Sequence, residues 1–204
     1  TKTIYLDSAA PTGTIKNSSG TAISGYTGGA FSYTATDTGS GVSYLQYKTP
    51  GSSSWTTYSS GTTISASATN GLYQFRAVDN AGNTSAVSSI YLDTAIPTGK
   101  ITDSNGTTVT TTTNKAFKYT ASDGLSGIAY MQYKKPNSTV WETYAAGTLI
   151  QTTDTNGIYR FRAFDNAGNE SETVMICLDT VKPTGTLYGG TSTVASGGKT
   201  NANY

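Results

Sequence analysis

Tyr73-Gln-Phe-Arg-Ala-Val-Asp-Asn-Ala-Gly-Asn83 recurs at 159–169 with two changes, Gln74 to Arg160 and Val78 to Phe164. Its first half alternates inward-type apolar residues with others, the period-two pattern of a strand buried on one face. Its second half, Asp79 to Asn83, is turn chemistry. Asp and Asn bond the backbone two residues on, and Gly takes conformations that other residues avoid. A strand running into a tight loop therefore occurs twice, 86 residues apart.

The same spacing holds outward in both directions without a gap. Ile4-Tyr5-Leu6-Asp7 returns as Ile90-Tyr91-Leu92-Asp93 and again as Ile176-Cys177-Leu178-Asp179. Residues 4–89 and 90–175 match at 46 of 86 positions, or 53%. A unit of this length exceeds the ~20–50 residues of solenoid repeats and is long enough to hold its own core. The expected organisation is residues 1–7 as the end of a preceding repeat or linker, 8–93 as the first domain, 94–179 as the second, and 180–204 as the truncated start of a third. Without an initial Met and with a last copy cut short, the chain reads as a piece of a longer tandem array.

Composition narrows the function. Thr, Ser and Gly number 39, 24 and 23, so 86 of 204 residues belong to three small types. Charged residues make up only 12%, with 13 Lys and Arg against 12 Asp and Glu. This balance argues against nucleic acid, which needs a basic stripe to displace counterions. No apolar run approaches the ~18–20 residues of a membrane span, so no membrane insertion is expected. One Cys cannot form an internal disulfide. The lack of His removes the commonest general base and metal ligand.

Local signals are β throughout. Thr and Tyr favour strands, and turn residues fall every ~8–12 positions, as in a sandwich. The spacing predicts strands at Thr12–Lys16, Ala30–Ala35, Val42–Lys48, Leu72–Val78 and up to Leu92, with shorter ones near Trp55–Tyr58 and Ile64. That makes about seven strands per repeat. Tyr73 follows a Gly turn and stands two residues before Phe75. In immunoglobulin-type sandwiches a Tyr at that place forms the tyrosine corner, two residues before a disulfide Cys. Phe75 and Phe161 take the Cys position here, so aromatic packing should replace the inter-sheet bridge. The expected core is Phe31, Tyr33, Leu45, Tyr47, Trp55, Tyr73 and Phe75, with their partners 86 residues on.

The chain resembles the bacterial immunoglobulin-like, or Big-type, tandem repeats of Gram-positive secreted and cell-surface proteins. The residues that carry the resemblance are Asp93-Thr-Ala-Ile-Pro97 and Asp179-Thr-Val-Lys-Pro183 at the boundaries, Ser40-Gly41-Val42 and Ser126-Gly127-Ile128, and the run from Tyr73 to Asn83 with its copy. The resemblance implies an all-β fold of tandem immunoglobulin-like sandwiches without a disulfide. It implies modules that serve as spacers, adhesive stalks or accessory domains beside a catalytic domain.

No enzymatic site is expected. Residues 4–89 contain no Glu, and glycosidases need two carboxylates in a cleft. Cys177 stands where Tyr5 and Tyr91 stand, as a substitution. Asp7, Asp37 and Asp79 should converge at one end of the first sandwich, and Asp93, Asp123 and Asp165 at the junction with the second. Three loop carboxylates with backbone oxygens suit Ca²⁺, which takes 6–8 oxygen ligands. The alternative is local, since Asp starts tight loops by itself. No other cofactor is expected. Tyr44, Tyr58, Tyr130 and Tyr144 are candidates for outward rings that stack on sugar. Lys48 and Asn83 repeat as Lys134 and Asn169, but no buried acid suggests itself to join them covalently. Arg76 and Arg162 should face outward and pair with acids.

The expected function is a non-catalytic extracellular stalk, spacer or adhesion module of a bacterial surface or secreted protein. The alternative is a carbohydrate- or receptor-binding accessory module of a secreted multidomain enzyme. Partners would be neighbouring repeats of the same chain and host or cell-wall glycan or protein. Pro97 and Pro183 restrict the short linkers, which predicts an extended line with ~35–40 Å added per copy. A spacer repeats everything, whereas a binder carries a loop or aromatic cluster that one copy lacks; 53% identity without a gap favours the spacer.

Overall fold

The computed structural model describes residues 6–185 and the backbone of Leu187–Gly189 and Ser192–Val194. Two sandwiches of the same design follow one another, each of seven strands and with no helix among the described residues. In the first, β1 (Thr12–Asn17) pairs antiparallel with β3 (Phe31–Thr36) as one layer. The other layer has the order β2-β7-β6-β4-β5. Its members are β2 (Gly25–Thr27), β4 (Val42–Lys48), β5 (Thr56–Tyr58), β6 (Gly71–Asp79) and β7 (Ser88–Leu92). The second sandwich repeats this with β8 (Thr98–Asp103) on β10 (Phe117–Ser122), and the order β12-β11-β13-β14-β9. These are β9 (Thr112–Thr113), β11 (Ile128–Lys134), β12 (Glu142–Tyr144), β13 (Gly157–Asp165) and β14 (Val174–Leu178). The fold is all-β, immunoglobulin-like and free of disulfides; Cys177 is a free thiol.

The core follows from period-two alternation on β3, β4, β6 and β7. Phe31, Tyr33, Leu45, Tyr73, Phe75, Ile90 and Leu92 face inward and are buried. Phe75 is fully enclosed, with Tyr33 stacked on it at 5.0 Å and Tyr58 edge-on at 5.2 Å. In the second core Tyr119 and Tyr144 surround Phe161 at 5.1 and 5.2 Å. Such pairs add ~0.5–1.5 kcal/mol each beyond the area they bury, so a ring cluster stands in for the bridge. The Tyr73 hydroxyl donates to the Thr69 carbonyl at 3.0 Å, and Tyr159 to Thr155 at 2.9 Å. Both tyrosine corners are therefore formed. Gly13 and Gly99 lie under the Tyr33 and Tyr119 phenols, where a Cβ would collide with the ring.

The expected core changes at two places. Trp55 and Trp141 are only half buried and lie outside both clusters. They precede β5 and β12 on the outer side of the sheet, because Tyr58 and Tyr144 are the inward residues of those short strands. Tyr58 and Tyr144 are accordingly core residues and not outward rings. Their hydroxyls accept from the Tyr33 and Tyr119 amides at 2.9 and 3.0 Å and donate to the Thr62 and Thr148 carbonyls. Ile15 and Ile101 complete the cores from β1 and β8. The short parallel strands β2 and β9 lie outside the strands that local patterning predicts. Ile64 and Ile150 make single bridges, to Phe31 and Phe117, in place of strands. In the tail, β15 (Leu187–Gly189) and β16 (Ser192–Val194) form a hairpin. Residues 180–204, expected as the truncated start of a third repeat, fall mostly outside the described residues.

Candidate functional site

Two features of the surface follow from the strand plan: the joint between repeats, and the outer face of the five-stranded sheet. The joint is built from turn residues. Asp93 follows β7, and its amide donates to the Thr27 carbonyl of repeat 1 at 2.9 Å. The next residue, Thr94, donates through its amide and hydroxyl to Asn70 Oδ1 of repeat 1 at 3.2 and 3.1 Å. On the other side Asn169 Nδ2, in repeat 2, donates to the Asp93 and Ala95 carbonyls at 2.8 and 3.1 Å. Asp93 Oδ2 accepts from the Ser126 amide at 2.9 Å. The linker is thus held by both repeats. They also touch directly, through the Gly28 amide and the Ala167 carbonyl at 3.0 Å. A Cβ on Gly28 would lie 2.6 Å from Asn169 Oδ1 and 3.2 Å from the Ala167 carbonyl, so a larger residue there must displace the Asn169 side chain that braces the linker. Asp93 and Ser126 are buried at this joint, whereas the equivalent Asp7 and Ser40 of repeat 1 are half exposed.

The six candidate acids fall into two triads at the ends of the sandwiches. Ligand oxygens of Asp7, Asp37 and Asp79 lie within 4.8 Å of one another, as do those of Asp93, Asp123 and Asp165. Their loops explain the positions. Asp165 Oδ1 accepts from the Ala167 and Asn169 amides at 2.9 and 2.8 Å, and Oδ2 from Asn169 Nδ2 at 2.8 Å. Asp123 Oδ1 accepts from the Leu125, Ser126 and Gly127 amides. Burial, the largest single influence on Asp123, raises its pKa, but the bonds from Gly127, Leu125 and Ser126 together hold it below the ordinary value. Asp7 is held low by the Ser40 side chain, then by the Ser40 and Ala9 amides. The donor set is all oxygen, which suits a hard cation such as Ca²⁺ better than a transition metal. N–H donors already occupy both oxygens of Asp7, Asp93 and Asp165, all from the backbone except the Asn169 side-chain amide on Asp165 Oδ2.

The outer face places the other candidates. Tyr44 and Tyr130 are nearly half exposed, and Tyr130 stacks on Phe164 at 4.7 Å. Arg76 lies over Trp55 at 4.4 Å, with Lys48 at 4.9 Å from the same ring. Arg162 and Lys134 repeat this on Trp141 at 4.2 and 4.8 Å. The expectation that both arginines pair with acids is met only by Arg162, whose Nη1 donates to Glu170 at 2.7 Å. Both arginines donate to a neighbouring amide oxygen, Arg76 to Gln46 at 2.8 Å and Arg162 to Gln132 at 2.9 Å, and Arg76 has that bond without the ion pair. The reason is composition, since Thr84 stands where Glu170 does. Lys48 and Asn83 sit at opposite ends of β6, because Lys48 pairs with Gln74 and Asn83 follows Asp79; a covalent link between them is ruled out. Sequence reasoning missed Tyr26 and Tyr91, whose rings stack at 5.3 Å on this face. The signal was present as the replacement of both in repeat 2, by Thr112 and Cys177.

No helix among the described residues is long and apolar enough to cross a membrane. No protein-family model matches the chain, and no curated protein matches it significantly. Among solved structures, the fibronectin(III)-like modules of CbhA from Clostridium thermocellum are similar at a TM-score of 0.38 and 18% identity, over 80% of this chain and 92% of that one. The fold itself stands on the strands, register and cores described above.

Proposed function

We propose that the chain is a non-catalytic spacer segment of a secreted or cell-wall-attached bacterial protein, in which rigid sandwiches are set in line by braced joints. The observation that carries this reading is the linker Asp93–Pro97. Its successive residues are bonded alternately to repeat 1 (Asn70) and to repeat 2 (Ser126 and Asn169). Free inter-domain motion is the default where contacts are few. A strap tied on both sides, with Pro97 buried in it, removes that freedom. The function then lies in length and stiffness, and the Ser- and Thr-rich, nearly neutral surface gives solubility without a strong field.

Small-angle scattering of residues 1–204 tests it. The expected result is an extended particle with a narrow distance distribution. Asn70→Ala combined with Gly28→Asn should broaden that distribution while each repeat keeps its melting behaviour. A compact or freely jointed wild-type particle would overturn the spacer reading. Ca²⁺ bound at the Asp93, Asp123 and Asp165 triad would add to the bracing. The same measurement in EDTA tests that addition: a particle indifferent to EDTA leaves the strap alone to hold the joint.

A further inference from the structure

We propose that the outer sheet face of repeat 1, and not that of repeat 2, is a binding strip for a carboxylate-bearing polysaccharide. Strand order sets the strip. Tyr26 on β2 pairs with Tyr91 on β7, which pairs with Leu72 on β6, all three in one register row facing outward. One step along the strands, Gln74 pairs with Lys48 on β4. Trp55 lies beyond Lys48 at the β5 edge and under Arg76. Five strands at about 4.8 Å spacing make a strip ~19 Å wide, the length of a short oligosaccharide.

Two observations fix the chemistry of the occupant. Tyr26 and Tyr91 are each more than a third exposed and stacked at 5.3 Å, 29° apart. Rigid amphipathic rings of this kind offer apolar faces for sugar C–H groups and hydroxyls for hydrogen bonds. The cations Lys48 and Arg76 have no carboxylate partner, since both ion pairs among the described residues belong to repeat 2. Every acid of repeat 1 up to β7 is gathered in the triad of Asp7, Asp37 and Asp79, off this face. An uncompensated guanidinium, half buried on an aromatic ring, is suited to a planar carboxylate. A neutral glycan leaves those charges unused.

Repeat 2 is the built-in control. Thr112 and Cys177 replace the ring pair and leave an open apolar depression of about 300 Å³ lined by Ile158, Met175 and Cys177. Glu170 neutralises Arg162, whereas Lys134, the counterpart of Lys48, keeps its place over Trp141 without a carboxylate partner among the described residues, so the charge contrast lies at the arginine. The strip thus exists in one copy only, at positions that packing does not dictate. It is independent of the spacer reading, because straight and bent arrays present it equally.

The test is titration of the full chain with oligogalacturonate, followed by NMR, against its methyl ester, which keeps the rings and removes the charge. Expected are shifts confined to residues around Tyr26, Tyr91 and Trp55, and binding at least about tenfold weaker for the methyl ester. Tyr26→Thr with Tyr91→Cys installs the residues that repeat 2 already folds with, and should abolish the shifts. Arg76→Gln should weaken binding, and raising the salt from about 0.05 to 0.5 M should weaken the wild type several-fold. Equal binding of acid and ester overturns the ligand class. Binding that survives Tyr26→Thr with Tyr91→Cys, or no binding at about 10 mM ligand, overturns the site.

Discussion

Repeats 1 and 2 agree inside and differ outside. Tyr33 on Phe75 and Tyr119 on Phe161 stack at 5.0 and 5.1 Å, with interplanar angles of 22° and 19°. The tyrosine corners agree to 0.1 Å, at 3.0 and 2.9 Å. On the outer face a ring pair becomes Thr and Cys, a Gln-bound Arg gains an ion pair, and Val78 becomes Phe164 under Tyr130. Close packing explains the first half: a core residue must fill a fixed volume. Outward residues meet water, so they drift unless something binds them. The difference between the copies is therefore where the proposed binding strip can be tested, one repeat against the other.

The comparison breaks most visibly at the ring cluster. Phe75→Ala and Phe161→Ala should each cost their own repeat about 3–5 kcal/mol, the range for truncating a buried Phe. Calorimetry should show one melting transition moving while the other stays. A single shared shift would mean that the repeats unfold as one unit.

Alkali should act on both repeats alike. Burial pushes the phenols of Tyr33, Tyr58 and Tyr73 above their ordinary value near 10, and those of Tyr119, Tyr144 and Tyr159 likewise. A raised folded pKa favours the neutral native form. Its contribution is full below about pH 10 and is lost as pH rises through the higher folded values. Melting temperatures followed upward from pH 9 should fall together, with the tyrosinate absorbance of these six buried phenols appearing only on unfolding. Acid works in the opposite sense through Asp7 and Asp123, whose depressed values give stability above the ordinary carboxyl range that disappears as pH falls through the folded values.

Hydroxyl deletions sharpen the comparison within and between the cores. Tyr73→Phe and Tyr159→Phe should each cost about 1 kcal/mol by stranding the Thr69 or Thr155 carbonyl. Tyr33→Phe should cost less, because the Tyr33 hydroxyl is buried without a hydrogen-bond partner among the described residues and its removal strands nothing. Urea midpoints would rank the three, and a Tyr33→Phe loss equal to that of Tyr73→Phe would contradict the account. The smallest effect is expected for Glu170→Thr, which gives repeat 2 the residue of repeat 1. An exposed ion pair is worth about 0–1 kcal/mol, so stability should barely move while the outer face becomes more cationic.

Much of this was legible in residue order. The 86-residue spacing, the alternation around Phe75, the place of Tyr73 before it and the Asp-Asn-Ala-Gly-Asn loop predict repeated disulfide-free sandwiches, their strands and the gathering of three Asp at each end. These are local signals, read from period and turn chemistry. Trp55 and Tyr58 show where such signals fail. Both stand next to one short edge strand, and alternation over three residues does not say which face is inner. Only the neighbouring strands decide it, by presenting the Tyr33 amide and the Thr62 carbonyl to the Tyr58 hydroxyl.

The sequence by itself determined the repeat, the β class and the turn-borne acids, because strand period and Asp or Gly turns act within a few residues. The tertiary structure alone decided what the surface presents. Tyr26 and Tyr91 are 65 positions apart and meet only because β2 lies parallel to β7. Gly28 meets Ala167 and Asn169 only because the braced linker sets one sandwich against the next. Contacts between elements far apart in the chain depend on how sheets pair and pack, and no local periodicity encodes that.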